Sequence, residues 1–191
     1  SRNPEGEIIF DVKCTRNLAP WIKKHGGIPT MWKTGHSFIK AKLNETKALL
    51  AGEMSGHLFF KERWYGFDDG LYAVARLLEI LSRGSDTNAA FDKLPDSLNT
   101  PELQIATAEG ENYLLIAKLQ KTANFNNPQQ IVTIDGVRVE YSDGFGLARS
   151  SNTTPVIVLR FEADNEAALK RIQEDFRDNI KRIKPDAQFP Y

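Results

Sequence analysis

Cysteine is almost absent. Cys14 is the only one in 191 residues, so no disulfide forms within the chain and no cysteine-based zinc site can be assembled. That usage suits a reducing compartment, and the expected location is cytoplasmic. An excess of one charge is missing too, because 25 Lys and Arg are matched by 25 Asp and Glu. Without a net field the chain is expected to bind neither nucleic acid nor a membrane, and any anion site must be local. No apolar run is long enough to span a bilayer, and no charged-then-apolar leader opens the chain. An initiating methionine is lacking as well, and the start Ser1-Arg2-Asn3-Pro4 reads as a cut inside a longer protein. Internal repeats and low-complexity tracts are absent.

What remains is ordinary globular composition, 41% hydrophobic and 26% charged, over a length that allows one domain or two small ones. The first half alternates short β-rich runs with helical spacings. Ile8–Val12, Ile28–Trp32, Ala48–Ala51 and Leu58–Phe60 read as strands. Helices are expected from about Leu18, over His36–Lys47, and from Asp69 to Ser82 with Leu71, Val74, Leu78 and Leu81 buried. Asp68 or Asp69 is placed to cap the last of these. Arg83-Gly84-Ser85-Asp86 is a polar turn. Strands alternating with helices predict an α/β domain with a mixed sheet.

Leu94–Pro101 carries two prolines and little periodicity, which marks a linker. Residues 1–96 and 97–191 are therefore expected to form separate domains. The second half has closely spaced strands at Leu103–Thr107, Ile131–Ile134, Val137–Tyr141, Gly146–Ala148 and Pro155–Phe161. Asp135-Gly136 is a hairpin-turn signal. Helices are expected over Glu111–Ala123 and along the stripe Leu169, Ile172, Phe176, Ile180 and Ile183, with Pro185 beyond its end. This predicts an α+β domain, an antiparallel sheet with two helices.

Three polar clusters follow the first three strands: Lys13, then Lys33-Thr34-Gly35-His36, then Gly52-Glu53-Met54-Ser55-Gly56-His57. In α/β sheets ligands bind beyond the carboxyl ends of parallel strands, so parallel pairing would bring these clusters together. Each one also fits a plain capping loop. Glu53 accepts hydrogen bonds and Ser55 donates or accepts them, so the pair suits neighbouring sugar hydroxyls, and the flanking glycines allow close approach. Ser55 does not satisfy the Gly-x-Ser-x-Gly nucleophile elbow. His36 and His57 suit proton transfer or plain hydrogen bonding. Cys14 does not open a phosphatase loop, because Pro20 stands where arginine is needed. Asp68-Asp69 fits a helix cap better than a metal site. In the second half, Arg149-Ser150-Ser151-Asn152-Thr153-Thr154-Pro155 offers a guanidinium and a run of hydroxyls and amides. That composition suits a phosphate nest as well as a polar hairpin loop. Arg160 is placed to support this loop from behind.

Taken together, Asp11–Arg16, Lys33–His36, Gly52–His57 with Phe59–Arg63, and Arg149–Pro155 resemble the α-D-phosphohexomutase family in order and spacing. Gly-Glu-Met-Ser-Gly-His points to its bacterial phosphomannomutase/phosphoglucomutase branch. The resemblance implies the third and fourth of four domains, an α/β domain and then one similar to the TATA-box-binding-protein-like fold. It implies a parent enzyme that interconverts hexose 1- and 6-phosphates, of mannose and glucose, through a 1,6-bisphosphate such as glucose 1,6-bisphosphate. The family carries the transferred phosphate on a serine of its first domain and holds Mg²⁺ with an Asp-rich loop of its second. Neither the Ser-His-Asn-Pro loop nor the Asp-Gly-Asp loop occurs here. The isolated chain is therefore expected to be inactive and to work with the missing N-terminal domains of the same protein. By resemblance, Glu53 and Ser55 hold the sugar hydroxyls, and Arg149, Ser151, Asn152 and Thr153 grip the phosphate that is not reacting. Lys13, His36 and His57 lie near the transferring phosphate in supporting roles. Position 150 is often alanine in close relatives and is serine here. A stand-alone sugar-phosphate-binding module without catalysis is the competing reading.

Overall fold

The computed structural model describes residues 3–84 and 86–191. Ser1 and Arg2 of the chain start, and Ser85 of the turn expected at 83–86, lie outside the described residues. The chain divides into two compact units, Ser1–Asp96 and Ser97–Tyr191.

The first unit runs β1 (Glu7–Asp11), α1 (Leu18–Lys24), β2 (Ile28–Trp32), α2 (His36–Thr46), β3 (Leu50–Gly52), β4 (Leu58–Phe60), α3 (Gly70–Leu81) and the short α4 (Asn88–Phe91). Its sheet has the order β2-β1-β3-β4. β1 pairs parallel with both β2 and β3, while β4 pairs antiparallel with β3. Side chains alternate across β1. Ile9 packs with Ile39 and Leu43 of α2, Ala51 and Phe59 on one face. Phe10 and Ile8 pack with Ile22 and Leu18 of α1 on the other, where Met54 also anchors its loop. Two helices thus cover opposite faces, and the three parallel strands end together, where the polar clusters begin.

Helix α3 departs from expectation. Asp69 caps it by accepting the Tyr72 amide at 2.9 Å, but the apolar stripe is not covered within the unit. Leu71 is 88% exposed, Val74 55% and Leu78 59%, and only Leu81 is half-buried. The opposite, polar face meets the sheet instead. The Arg76 guanidinium lies 4.7 Å from the Phe60 ring centre and pairs with Glu62 at 3.0 Å. Tyr72 packs edge-on against Phe60 at 5.5 Å. Cation–π and charge-assisted contacts therefore set the rotation of this helix.

The second unit contains β5 (Leu98–Asn99), β6 (Leu103–Ala106), α5 (Glu111–Thr122), β7 (Gln130–Val132), β8 (Val137–Tyr141), β9 (Gly144–Ser150), β10 (Val156–Ala163) and α6 (Glu166–Ile183). All its pairings are antiparallel, in the order β5-β10-β9-β8-β7, with β6 also on β10. The fold class is thus an α/β unit followed by an antiparallel α+β unit. Within the expected linker, Leu98 and Asn99 are not free chain, because they extend the sheet opposite Ala163 and Glu162. Asn165 caps α6 by accepting the Ala168 amide at 2.9 Å. Ile172, Phe176 and Ile180 of its stripe are fully buried. On the same helix, Asp175 takes the Tyr141 hydroxyl at 2.7 Å and the Asn126 backbone and side-chain amides, each at 2.9 Å.

Candidate functional site

In the first unit the polar clusters stand at the carboxyl ends of three parallel strands. Asp11 ends β1 fully buried. Its Oδ1 accepts the Lys13 amide at 2.9 Å and the Cys14 thiol at 3.4 Å, closing a tight turn. Its Oδ2 has no hydrogen-bond partner among the described residues. Lys13, two residues beyond β1, is 7% exposed.

The clusters after β2 and β3 are joined directly. Gly35 precedes α2 with φ 129° and ψ 124°, a conformation that a side chain would disfavour. Its amide donates to Glu53 Oε1 at 2.6 Å. The helix start and the loop after β3 are therefore fixed to one another by a buried carboxylate. The loop is closed by the Glu53 amide donating to the His57 carbonyl at 2.9 Å and by the Gly56 amide donating to the Glu53 carbonyl at 3.0 Å. Ser55 at its tip is exposed. His36 and His57 approach with ring centres 6.1 Å apart. His57 Nδ1 lies 2.7 Å from Asp68 Oδ2. A carboxylate accepts, so Nδ1 donates and the open position of the ring is Nε2. Glu53, His36 and His57 are thus brought together, with Asp68, which the sequence favours as a helix cap over a metal ligand, as a partner of His57.

A groove of about 470 Å³ lies elsewhere in this unit, lined by Ile8, Trp21, Leu50, Phe60, Arg76 and Ile80, and it contains none of these residues. Its rim is an ion-pair ladder. Hydrogen bonds from Arg63, assisted by Arg83, hold the Glu79 carboxyl down at about 2. Burial pushes the Glu62 carboxyl up, but Arg63 and Arg76 outweigh it and hold it below the usual range.

The candidate phosphate loop of the second unit joins β9 to β10. Arg149 and Ser150 belong to β9 itself, opposite Val158 and Ile157. The Arg149 side chain is 4% exposed, and its Nε donates to Asp135 Oδ2 at 3.0 Å. Its Nη2 is buried and has no partner among the described residues. The Ser151 hydroxyl sits inside the turn, 2.9 Å from the Thr154 hydroxyl. It accepts the Thr153 and Thr154 amides at 3.3 and 3.2 Å. Asn152 and Thr153 are exposed. The Ser150 hydroxyl donates to the Asn112 carbonyl at 3.0 Å.

Helix α5 holds this region at two points. Asn112, 1% exposed, donates to the Ser151 carbonyl at 3.1 Å. Eight residues on, Gln120 Nε2 donates to the Gly136 carbonyl at 2.8 Å and the Thr133 carbonyl at 3.3 Å. Sequence reading singled out none of Asn112, Gln120 and Asp135 as site residues, and Asp135 was visible only as a turn former. The support expected from Arg160 is not found. Its guanidinium donates to the Thr100 carbonyl at 2.9 Å and reaches Asn99, which ties β10 to the start of the unit instead. Among the described residues no group of three or more His, Cys, Asp or Glu is placed to hold a metal ion, and no helix is long and apolar enough to cross a membrane.

Comparison with known proteins covers nearly the whole chain. Residues 1–97 match the family model described as phosphoglucomutase/phosphomannomutase, alpha/beta/alpha domain III. Residues 102–179 match phosphoglucomutase/phosphomannomutase, C-terminal domain. The chain is 61% identical over 182 residues to a phosphoglucomutase of Neisseria gonorrhoeae, covering 95% of the chain and 40% of that protein. It is 55% identical over 192 residues to a phosphomannomutase/phosphoglucomutase of Pseudomonas putida, covering 100% and 41%. Among solved structures, a phosphoglucomutase/phosphomannomutase family protein from Burkholderia thailandensis aligns with a TM-score of 0.93 at 63% identity, over 100% of the chain and 40% of its own. The chain thus spans about 40% of the length of the relatives it matches.

Proposed function

This chain belongs to the phosphoglucomutase/phosphomannomutase family, and on that premise we propose that it supplies the sugar- and phosphate-binding part of a hexose phosphate mutase. The reaction is the interconversion of hexose 1-phosphate and hexose 6-phosphate through a 1,6-bisphosphate, with mannose and glucose phosphates as substrates. The observation that carries the reading is Arg149, a buried guanidinium with an unpartnered Nη2 in the strand that leads into a loop of hydroxyls and amides. Asp135 already balances the charge, but a buried N–H donor left without an acceptor is costly, and a phosphate oxygen supplies one. Ser151, Asn152 and Thr153 complete that grip through their side chains.

In the first unit Glu53 and Ser55 take the sugar hydroxyls. Lys13, His36 and His57 stand near the transferring phosphate, with His57 oriented by Asp68 so that Nε2 donates or accepts there. By the family resemblance, Mg²⁺ and the phosphoserine belong to other parts of the parent enzyme, and no step of this chain runs through them.

Titration of the ¹⁵N-labelled chain with glucose 1-phosphate tests the assignment. Amides of Arg149–Thr154 are expected to shift with a Kd in the millimolar range, on the order of −4 kcal/mol, and Arg149→Ala to abolish the response. Shifts confined to Gly52–His57, with Arg149–Thr154 silent, would place the anion site in the wrong unit.

A further inference from the structure

We propose that Asp135 is a positioning residue for Arg149, fixing the plane of its guanidinium so that the Nη edge is presented to phosphate. The proposal rests on the phosphate reading of the loop and names a residue that the motif itself does not contain.

Arginine carries five N–H donors in a rigid plane, and whichever donor is taken first sets where the others point. Here Nε is taken by Asp135 Oδ2 at 3.0 Å while Nη2 is buried and unpartnered. The carboxylate is itself held in place. Gly136, the next residue, has φ +84° and lies so close to β9 that an added Cβ would stand 2.6 Å from the Arg149 Cβ. On its other side, Gln120 of α5 donates to the Gly136 carbonyl at 2.8 Å. Helix, turn, carboxylate and guanidinium thus form one chain of contacts ending at the loop.

A carboxylate beside an anion site has two possible effects of opposite sign. As a competing charge it weakens phosphate binding, and its removal tightens it. As a positioning group it strengthens binding, and its removal weakens it. A buried guanidinium met by a carboxylate on a turn fastened at two points argues for the second.

The test uses the whole 191-residue chain and two readouts. One is the Arg149 Nε–Hε resonance, assigned by its disappearance in Arg149→Lys, and the other is the Kd for inorganic phosphate. In the unaltered chain the Nε–Hε proton is expected to exchange slowly. Asp135→Ala should give fast exchange together with phosphate binding weaker by about tenfold or more. Asp135→Asn keeps an oxygen acceptor and should retain both slow exchange and a Kd within about threefold. Phosphate binding tighter by more than about threefold in either variant overturns the proposal, because it makes Asp135 a competitor. Lost protection with undiminished affinity, or protection retained while affinity falls, overturns it as well. If Asp135→Ala does not fold, the isosteric Asp135→Asn decides by the same rule, with the two readouts moving together or apart. A phosphate response that survives Arg149→Ala would instead refute the phosphate reading, which separates the two failures.

Discussion

Gly136→Ala should unfold the second unit at much lower denaturant while sparing the first. Gly136 has φ +84°, and an added Cβ would meet the Ala148 carbonyl oxygen at 2.3 Å and the Arg149 Cα at 2.7 Å. The left-handed conformation costs a side chain about 1–2 kcal/mol. The overlap falls on the backbone of a central strand, which cannot swing aside, and overpacking of that kind costs about 1–3 kcal/mol. The expected loss is about 3 kcal/mol, a large share of the roughly 5–15 kcal/mol that holds a domain. With a urea slope of about 1.5 kcal/mol per molar, the midpoint should fall by about 2 M. The units can be followed separately, because Trp21, Trp32 and Trp64 all lie in the first. Their fluorescence transition should stay in place, while the amide signals of Val137–Tyr141 and Gly144–Ser150 should be lost early. A second-unit midpoint within about 0.3 M of the unaltered chain, less than about 0.5 kcal/mol at that slope, would refute the reasoning.

Burial, and then the hydrogen bond to Asp175, push the Tyr141 phenol well above its ordinary value, so its absorbance at 295 nm should not change until the second unit unfolds in alkali. Tyr141→Phe should cost about 1 kcal/mol by chemical denaturation, since Asp175 keeps both Asn126 donors. In the first unit, Leu78→Ser should change stability by no more than about 0.5 kcal/mol, whereas Leu43→Ala should cost about 2–5 kcal/mol. Equal losses would mean that α3 is rotated from the orientation described. The Glu79 carboxyl, held at about 2 by Arg63, should titrate there by ¹³C NMR. Its folded value lies below the unfolded one, so its contribution is full above about pH 4.3 and is lost as the pH falls toward 2. Arg63→Ala should return the midpoint toward the ordinary value, and half-molar salt should reproduce part of that change.

Where one strand or helix face decides the outcome, sequence was sufficient. Ile28–Trp32 and Val137–Tyr141 have the expected bounds, because each is β-rich and closed by turn residues. The α6 stripe buries Ile172, Phe176 and Ile180, because a 3.6-residue period survives any change of neighbours. Periodicity cannot say which helix face meets a sheet, and on α3 the Arg76–Glu62 pair and the Phe60 contact made that choice. Leu98–Asn99 are too short to carry a pattern and pair only because β10 runs past them. In the candidate site, polar residues that follow strands were legible one loop at a time. Their partners were not. Asp68 meets His57 across 11 positions, Asp135 meets Arg149 across 14 and Asn112 meets Ser151 across 39. Those meetings depend on strand register, which alternation sets only after pairing has been chosen.

The bare face of α3 bears on how this chain behaves at high concentration. Leu71, Val74, Leu77, Leu78 and Ile80 present adjoining apolar surface, while the chain as a whole carries equal numbers of opposite charges and a pI near 6.8. Near neutral pH, long-range repulsion is therefore at its weakest just where a sticky face needs it to keep molecules apart. Solubility should pass through a minimum around neutrality and recover as the pH is moved far enough from it for net charge to accumulate. Added sulfate should deepen that minimum by strengthening the apolar contact, and a single charged residue in place of Leu71 should flatten it.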